Sequence, residues 1–137
     1  MAGIVIATHC KLGEALIDAA EFILGKRPEG VVPISIDLND KPENLFAKIS
    51  DAIKKVNKNK GVLILTDMFG GTPSNLSYSF LDEGRIEVLS GVNLPVLIKA
   101  LRMREEMNLE EFAKPLEEFG KKSISLASGI LKGQSRS

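Results

Sequence analysis

Two reactive side chains stand next to each other near the start of the sequence. They are His9 and Cys10, the only histidine and the only cysteine among 137 residues. They could be a nucleophile with its base, part of a metal site, or two unrelated residues. A zinc site needs more histidine or cysteine ligands than the chain has. A cysteine–histidine hydrolase needs side chains that converge, whereas successive side chains at a strand end point apart. The histidine alone is therefore the stronger candidate for chemistry.

The secondary-structure elements that must position His9 are strands alternating with helices. Short β-branched runs alternate with longer runs of helical periodicity, which predicts an α/β fold with a mainly parallel sheet and helices on both faces. The predicted strands cover residues 3–7, 31–36, 62–65 and 86–89, with a half-exposed fifth strand at 122–128. Helices are predicted near 12–24, 42–56, from Thr72 onward, at 94–104 and at 109–119, the last kinked or shortened by Pro115.

Polar residues and glycines follow several of these strands. His9 follows the first strand, Asp67 follows the third, and Ser90 follows the fourth. The carboxyl ends of parallel strands share one edge of the sheet, where ligands of open α/β sheets bind. A lone histidine is more often a surface or core residue than a functional one. Its place at this edge favours a function here.

A carboxylate on one ring nitrogen would fix the tautomer of His9 and leave the other nitrogen free as nucleophile or base. Asp67 is the expected partner, although an aspartate there could equally be a turn residue. Gly70 and Gly71 then lead into a helix beginning at Thr72, where backbone N–H groups and the helix dipole favour an anion. A nucleophilic histidine beside an anion-binding site is the least that a protein needs to form a phosphohistidine.

Composition excludes several other classes of function. Lysine plus arginine number 18, as do aspartate plus glutamate, and aromatic residues are 5%. A neutral, aromatic-poor chain does not suit nucleic acid or direct membrane insertion. One cysteine and the absence of a signal-like N-terminus favour a cytoplasmic protein. No P-loop motif is present, so ATP binding is not expected.

Three separated segments resemble the signature segments of the mannose-family EIIA domain of the bacterial phosphoenolpyruvate-dependent sugar phosphotransferase system. They are GIVIATH at 3–9, DMFGGTPSN at 67–75 and GVNLP at 91–95, and the similarity spans roughly residues 2–128. The resemblance implies a three-layer α/β sandwich whose antiparallel last strand is exchanged between the subunits of a homodimer. It sets the domain at 1–128 and leaves 129–137 as a flexible tail.

The same resemblance implies a phosphotransferase that needs no metal and no cofactor. The histidine protein HPr would donate a phosphoryl group to Nε2 of His9, and an EIIB component would accept it during sugar uptake. Asp67 would orient the ring. The phosphate would be bound by Gly70, Gly71, Thr72 and Ser74, with Thr8, Cys10 and Asn93 at the edge of the site.

Two alternatives share the phosphohistidine. One is a regulatory module that binds a target according to its phosphorylation state, without a role in transport. The other is the phosphoryl carrier that serves dihydroxyacetone kinase. One departure from the family also stands out, because Cys10 occupies a position that is often glycine.

Overall fold

The protein folds around one four-stranded parallel sheet. The computed structural model describes residues 1–37, 39–68 and 70–133. The strands are β1 (Gly3–His9), β2 (Val31–Ile36), β3 (Val62–Thr66) and β4 (Ile86–Ser90), in the order β2-β1-β3-β4. The helices are α1 (Leu12–Leu24), α2 (Pro42–Val56), α3 (Thr72–Tyr78), α4 (Leu94–Glu106), α5 (Leu109–Lys122) and α6 (Ala127–Leu131).

Helices cover both faces of the sheet, as the alternation of elements predicts. Successive residues of a strand point to opposite faces, so Ile4 and Ile6 of β1 pack with α1, α4 and α5, whereas Val5 and Ala7 pack with α2. Phe112 of α5 is the largest fully buried side chain on the first face. Both faces of β1 and β3 are therefore buried, which explains their near-continuous apolar sequences.

The order of the strands creates the crevice in which a site can form. From β1 the chain crosses to β2 on one side, and from β3 it crosses to β4 on the other. The connections after β1 and β3 therefore diverge, and ligands bind at such switch points. Ala7 pairs with Thr66, the last residue of β3, so β1 extends past β3 by Thr8 and His9. This stagger places His9 beside the first residue after β3.

The predicted end of the last long helix is wrong. Helix α5 continues through Pro115 to Lys122 instead of ending near residue 119. A proline removes one hydrogen bond, but burial of Leu109, Phe112 and Leu116 on a single face holds the helix together.

Residues 122–128 are not a strand in the single chain. Lys122 belongs to α5, residues 123–126 have no regular structure, and Ala127 begins α6. Alternation of polar and apolar residues is compatible with a strand, but a strand persists only where a neighbouring edge shares its hydrogen bonds. Helix α6 also crosses the predicted domain boundary, since residues 129–131 are helical, and residues 134–137 of the predicted tail lie outside the described residues.

None of the helices in the described ranges 1–37, 39–68 and 70–133 is both long enough and apolar enough to cross a membrane.

Candidate functional site

His9 and Asp67 form a closely bonded pair at the carboxyl edge of the sheet, as the sequence predicts. One carboxylate oxygen of Asp67, Oδ2, accepts from the backbone N–H of His9 at 2.9 Å and contacts the ring nitrogen Nδ1 at 2.8 Å. Because a carboxylate only accepts, this contact requires the hydrogen on Nδ1. The second nitrogen, Nε2, then carries the lone pair, and the His9 side chain is 44% exposed.

The surroundings of Asp67 keep its carboxylate ionised. Its other oxygen, Oδ1, accepts from the backbone N–H of Met68 at 3.0 Å. Partial burial by itself raises the pKa of Asp67. The hydrogen bonds from the backbone and ring of His9, with the attraction of that ring, outweigh burial and hold the pKa of Asp67 below its ordinary value.

The turn after β1 fixes the residues on either side of His9. Thr8 is fully buried, and its hydroxyl accepts from the N–H of Gly13 at 2.9 Å, so it ties the strand to the first turn of α1. Cys10 is exposed, and its N–H donates to the carbonyl of Ile36 at 3.0 Å. Its φ of 52° lies in the left-handed region that favours glycine. Thr8 and Cys10 therefore hold the turn, and neither side chain bonds the His9 ring in the described contacts.

The loop that follows Asp67 is stabilised by a buried serine. Ser74 is fully buried, and its hydroxyl accepts from the N–H of Gly70 at 3.0 Å and donates to the carbonyl of Gly71 at 3.1 Å. Gly70 has a φ of 85°, which a residue with a side chain rarely adopts. Gly71 lies against the His9 ring, because a Cβ atom on Gly71 would be 2.9 Å from Cε1. The loop therefore brings the start of α3 next to the imidazole.

The remaining predicted site residues, Thr72 and Asn93, lie at the starts of α3 and α4. Thr72 is exposed and is the first residue of α3 rather than its N-cap, which is Gly71. Asn93 caps α4 by accepting from the N–H of Val96 at 2.9 Å, and it donates to the Ser123 hydroxyl at 3.0 Å. These two hydrogen bonds of Asn93 join the start of α4 to the end of α5.

Sequence reasoning missed a polar network beside the site. The Thr66 hydroxyl donates to the Ser90 hydroxyl at 2.8 Å, and the Tyr78 hydroxyl lies 3.2 Å from the same oxygen. This network joins the ends of β3 and β4 to α3. Paired polar residues at the ends of two adjacent strands are a detectable signal once the strand order is known. No group of three or more His, Cys, Asp and Glu side chains that could hold a metal ion occurs within residues 1–37, 39–68 and 70–133.

The chain is similar to known proteins over most of its length. Residues 3–117 match the family model EIIA-man, described as the PTS system fructose IIA component. The chain is 30% identical over 129 residues to the PTS system fructose-specific EIIA component of Bacillus subtilis, covering 93% of this chain and 88% of that protein. It is 38% identical over 104 residues to the PTS system mannose-specific EIIAB component of Escherichia coli, covering 75% of this chain but 32% of that protein.

Among solved structures, phosphotransferase system component EIIA from Streptococcus agalactiae superposes with a TM-score of 0.83 at 26% identity, covering 93% of this chain and 98% of that one. The fold and the matched sequence define an EIIA component of the bacterial phosphotransferase system. Within that class, the chain belongs to the EIIA-man family, which comprises the mannose and fructose type of component.

We expect stability to depend on the ionisation of Asp67. Its folded-state pKa is lowered and its ordinary value is 3.8, so its stabilising contribution is complete above that pH and is lost as the pH falls below it. Urea unfolding between pH 7 and pH 3 should therefore show a smaller acid-induced loss for Asp67→Asn than for the parent. Equal losses in the two proteins would remove Asp67 as a source of acid sensitivity.

We expect Cys10→Gly to raise the free energy of unfolding by about 0.5–1 kcal/mol, since glycine has no Cβ to strain at positive φ. Cys10→Ser keeps the Cβ and should match the parent. Denaturant unfolding of the three proteins under reducing conditions measures the difference. If Cys10→Gly is no more stable than Cys10→Ser, the left-handed conformation of Cys10 does not lower the free energy of unfolding of the parent.

Proposed function

We propose that this chain is a cytoplasmic phosphoryl carrier of a sugar phosphotransferase system. It takes a phosphoryl group from phospho-HPr onto Nε2 of His9 and passes it to an EIIB component. The observation that carries the proposal is the 2.8 Å contact between Nδ1 of His9 and Asp67, which leaves Nε2 with its lone pair on an exposed ring. Membership of the EIIA-man family supports the same role.

The chemistry needs little beyond this arrangement. The lone pair of Nε2 forms a bond to phosphorus while the N–P bond of phospho-HPr breaks, and its electron pair returns to the donor's imidazole. The His9 ring keeps its proton on Nδ1 and becomes positively charged, which the ionised Asp67 stabilises. Because the transition state of phosphoryl transfer is loose, catalysis rests on positioning and electrostatic stabilisation. Transfer to EIIB is the same step in reverse with a new acceptor.

The start of α3 is the proposed binding site for the phosphoryl oxygens. Nε2 of His9 lies 3.5 Å from the position a Cβ of Gly71 would occupy, so it faces the N-cap of this helix. The first N–H groups of a helix have no acceptor within it. Since Pro73 has no N–H, the available donors there are the N–H and hydroxyl of Thr72 and the N–H of Ser74. The Ser74 hydroxyl is engaged with Gly70 and Gly71, so we assign it to shaping the loop.

We predict that His9 is the one phosphorylated residue. The test is incubation with phosphoenolpyruvate, enzyme I and HPr, followed by mass spectrometry for an acid-labile phosphate. The parent should gain one phosphoryl group on His9, and both His9→Gln and a reaction without HPr should gain none. A phosphate mapped to serine, threonine or aspartate, or stoichiometric labelling of His9→Gln, would contradict the proposal. Addition of an EIIB component should then discharge the phosphoryl group.

We predict that Asp67→Asn folds but accepts phosphate more slowly, on the order of 100-fold, because an amide does not stabilise a cationic ring as a carboxylate does. Rapid-quench measurement of phosphate uptake from phospho-HPr gives the rate. Asp51→Asn, an exposed aspartate on α2, is the matched control and should keep the parent rate. A parent-like rate for Asp67→Asn would remove Asp67 from the mechanism.

We also propose a homodimer in which residues 122–128 of each subunit add an antiparallel strand to the other. Within the described residues, β4 is an edge strand that pairs with β3. A groove of about 300 Å³ beside β4 is lined by Val88, Leu89 and Ala113. Its rim carries four glutamates and one lysine: Glu83, Glu87, Glu110, Glu117 and Lys114.

The C-terminal segment has the complementary chemistry. The exchanged segment 122–128 carries Lys122 and no acidic residue, and the wider range 119–137 contains four basic residues and no acidic one. Ile124 and Leu126 are 83% and 78% exposed, so two large apolar side chains of the segment have no cover within the chain. An exposed edge strand is a liability for a soluble protein. Exchange between two subunits would cover both the edge strand β4 and the exposed apolar side chains of the segment.

We predict a dimer by analytical ultracentrifugation at micromolar concentration. Leu126→Asp should shift the equilibrium to monomer, because it places a carboxylate in the acidic groove. Phe22→Asp is the matched control, since Phe22 is 89% exposed on α1 and does not line the groove, so it should leave the dimer intact. A parent that sediments as a monomer would contradict the exchange.

A further inference from the structure

Gly71 lies closer to the His9 ring than any residue with a side chain could. A Cβ atom built on Gly71 would be 2.9 Å from Cε1 of His9 and 3.5 Å from Nε2, with Cγ of Met68 at 3.3 Å. Carbon atoms that are not bonded pack at about 3.5–4.0 Å. A methyl group at position 71 would therefore force at least one of these neighbours to move.

The two glycines of the loop are required for different reasons. Gly70 has a φ of 85°, and among the described residues other than its chain neighbours no atom lies within 4 Å of the position its Cβ would take. Gly71 has a φ of −85° and a ψ of 169°, which is extended backbone that any residue adopts. Gly70 thus satisfies a backbone requirement, whereas Gly71 satisfies a requirement for space beside the imidazole.

Of the groups around a methyl group at position 71, the His9 ring is the one whose displacement would disturb the site. The backbone of Gly71 is fixed, because its carbonyl accepts from the Ser74 hydroxyl at 3.1 Å and from the N–H of Asn75 at 2.9 Å. Met68 is 54% exposed and can turn its side chain into solvent. The His9 ring is held by its contact with Asp67, so moving it would lengthen the 2.8 Å contact with Nδ1.

We infer that Gly71 is a positioning residue for His9. The missing side chain lets the imidazole rest against the start of α3 with Nδ1 on Asp67, and it leaves Nε2 uncovered for an incoming group. Asp67 holds the ring through one nitrogen, and Gly71 sets how close the ring lies to α3. The consequence for phosphoryl uptake rests on the proposed function, whereas the effect on the ring does not.

The ring can be observed directly, because His9 is the only histidine of the chain. Proteins labelled with ¹⁵N-histidine should show a proton on Nδ1 and a lone pair on Nε2 in the parent. Gly71→Ala should populate the other tautomer. Gly70→Ala is the matched control: it strains the backbone and lowers stability, but the folded protein should keep the parent tautomer. A parent-like ¹⁵N pattern for Gly71→Ala would overturn the inference.

A stability cycle tests the same contact by comparing Gly71→Ala with and without the His9 ring. The loss of stability caused by Gly71→Ala is measured in the parent and in a His9→Ala background. The loss should largely disappear in that background, because the ring that the methyl group displaces is gone. An equal loss in both backgrounds would show that the methyl group strains the loop itself, which would overturn the inference.

Uptake of phosphate from phospho-HPr gives the functional consequence. Gly71→Ala should slow uptake roughly 10- to 100-fold, since small displacements of a reacting group cost rates of this order. An unchanged rate alongside a changed tautomer would overturn the link between Gly71 and uptake. A parent that accepts no phosphate would contradict the proposed function instead, and the ¹⁵N pattern would still decide the position of the ring.

Discussion

One carboxylate oxygen organises the site. Oδ2 of Asp67 accepts from the backbone N–H of His9 and contacts Nδ1 of its ring. It therefore fixes both the position of the main chain and the orientation of the ring. Pairing of β1 with β2 already holds the main chain of His9 on one side, and the bond from its N–H to Asp67 ties it to the end of β3 on the other. With both contacts, the proton must lie on Nδ1, and Nε2 becomes the atom available for bond formation. The chemistry we propose follows from this one constraint.

The fold supplies the geometry that the contact requires. Because β1 extends past β3, the N–H of His9 projects beyond the ladder toward the first residue after Thr66. Thr66 anchors the end of β3, through its hydroxyl on Ser90 and through a carbonyl that accepts from the N–H groups of Gly91 and Val92. The Asp67 carboxylate thus follows directly after the end of β3, and hydrogen bonds to residues 90–92 hold that strand end in place. Pre-organisation of this kind suits a reaction that depends on placement.

Much of this could be predicted from the sequence, because the deciding signals are local. Apolar strands, helix periods and strand-end polar residues predict the parallel sheet and place His9 and Asp67 at the same edge. The buried face of α1 does not follow from its apolar spacing: the apolar residues Leu12 and Ile23 are 45% and 54% exposed, whereas Gly13 is buried against β1. A glycine that admits close packing carries no hydrophobic signal.

The other failures have related physical causes. The roles of Gly70 and Gly71 look alike in a sequence, and only φ and the distance to the imidazole separate them. Pro115 predicts a break in α5, but buried contacts outweigh one lost hydrogen bond. The alternation at residues 122–128 predicts a strand, yet whether a strand forms depends on an edge to pair with, which is not a property of the segment. At Cys10 the structure explains a feature of the sequence. The residue has a left-handed φ, which favours glycine, and the family that the sequence resembles often has glycine at this position.

The central claim is that Asp67 keeps the proton on Nδ1 and makes Nε2 the atom that accepts the phosphoryl group. The most direct test is NMR of the phosphorylated protein labelled with ¹⁵N-histidine, in which the nitrogen bonded to phosphorus shows coupling to ³¹P. The account predicts coupling at Nε2 and a retained hydrogen on Nδ1. Coupling at Nδ1 would contradict it, because Asp67 would then have to release the ring before transfer.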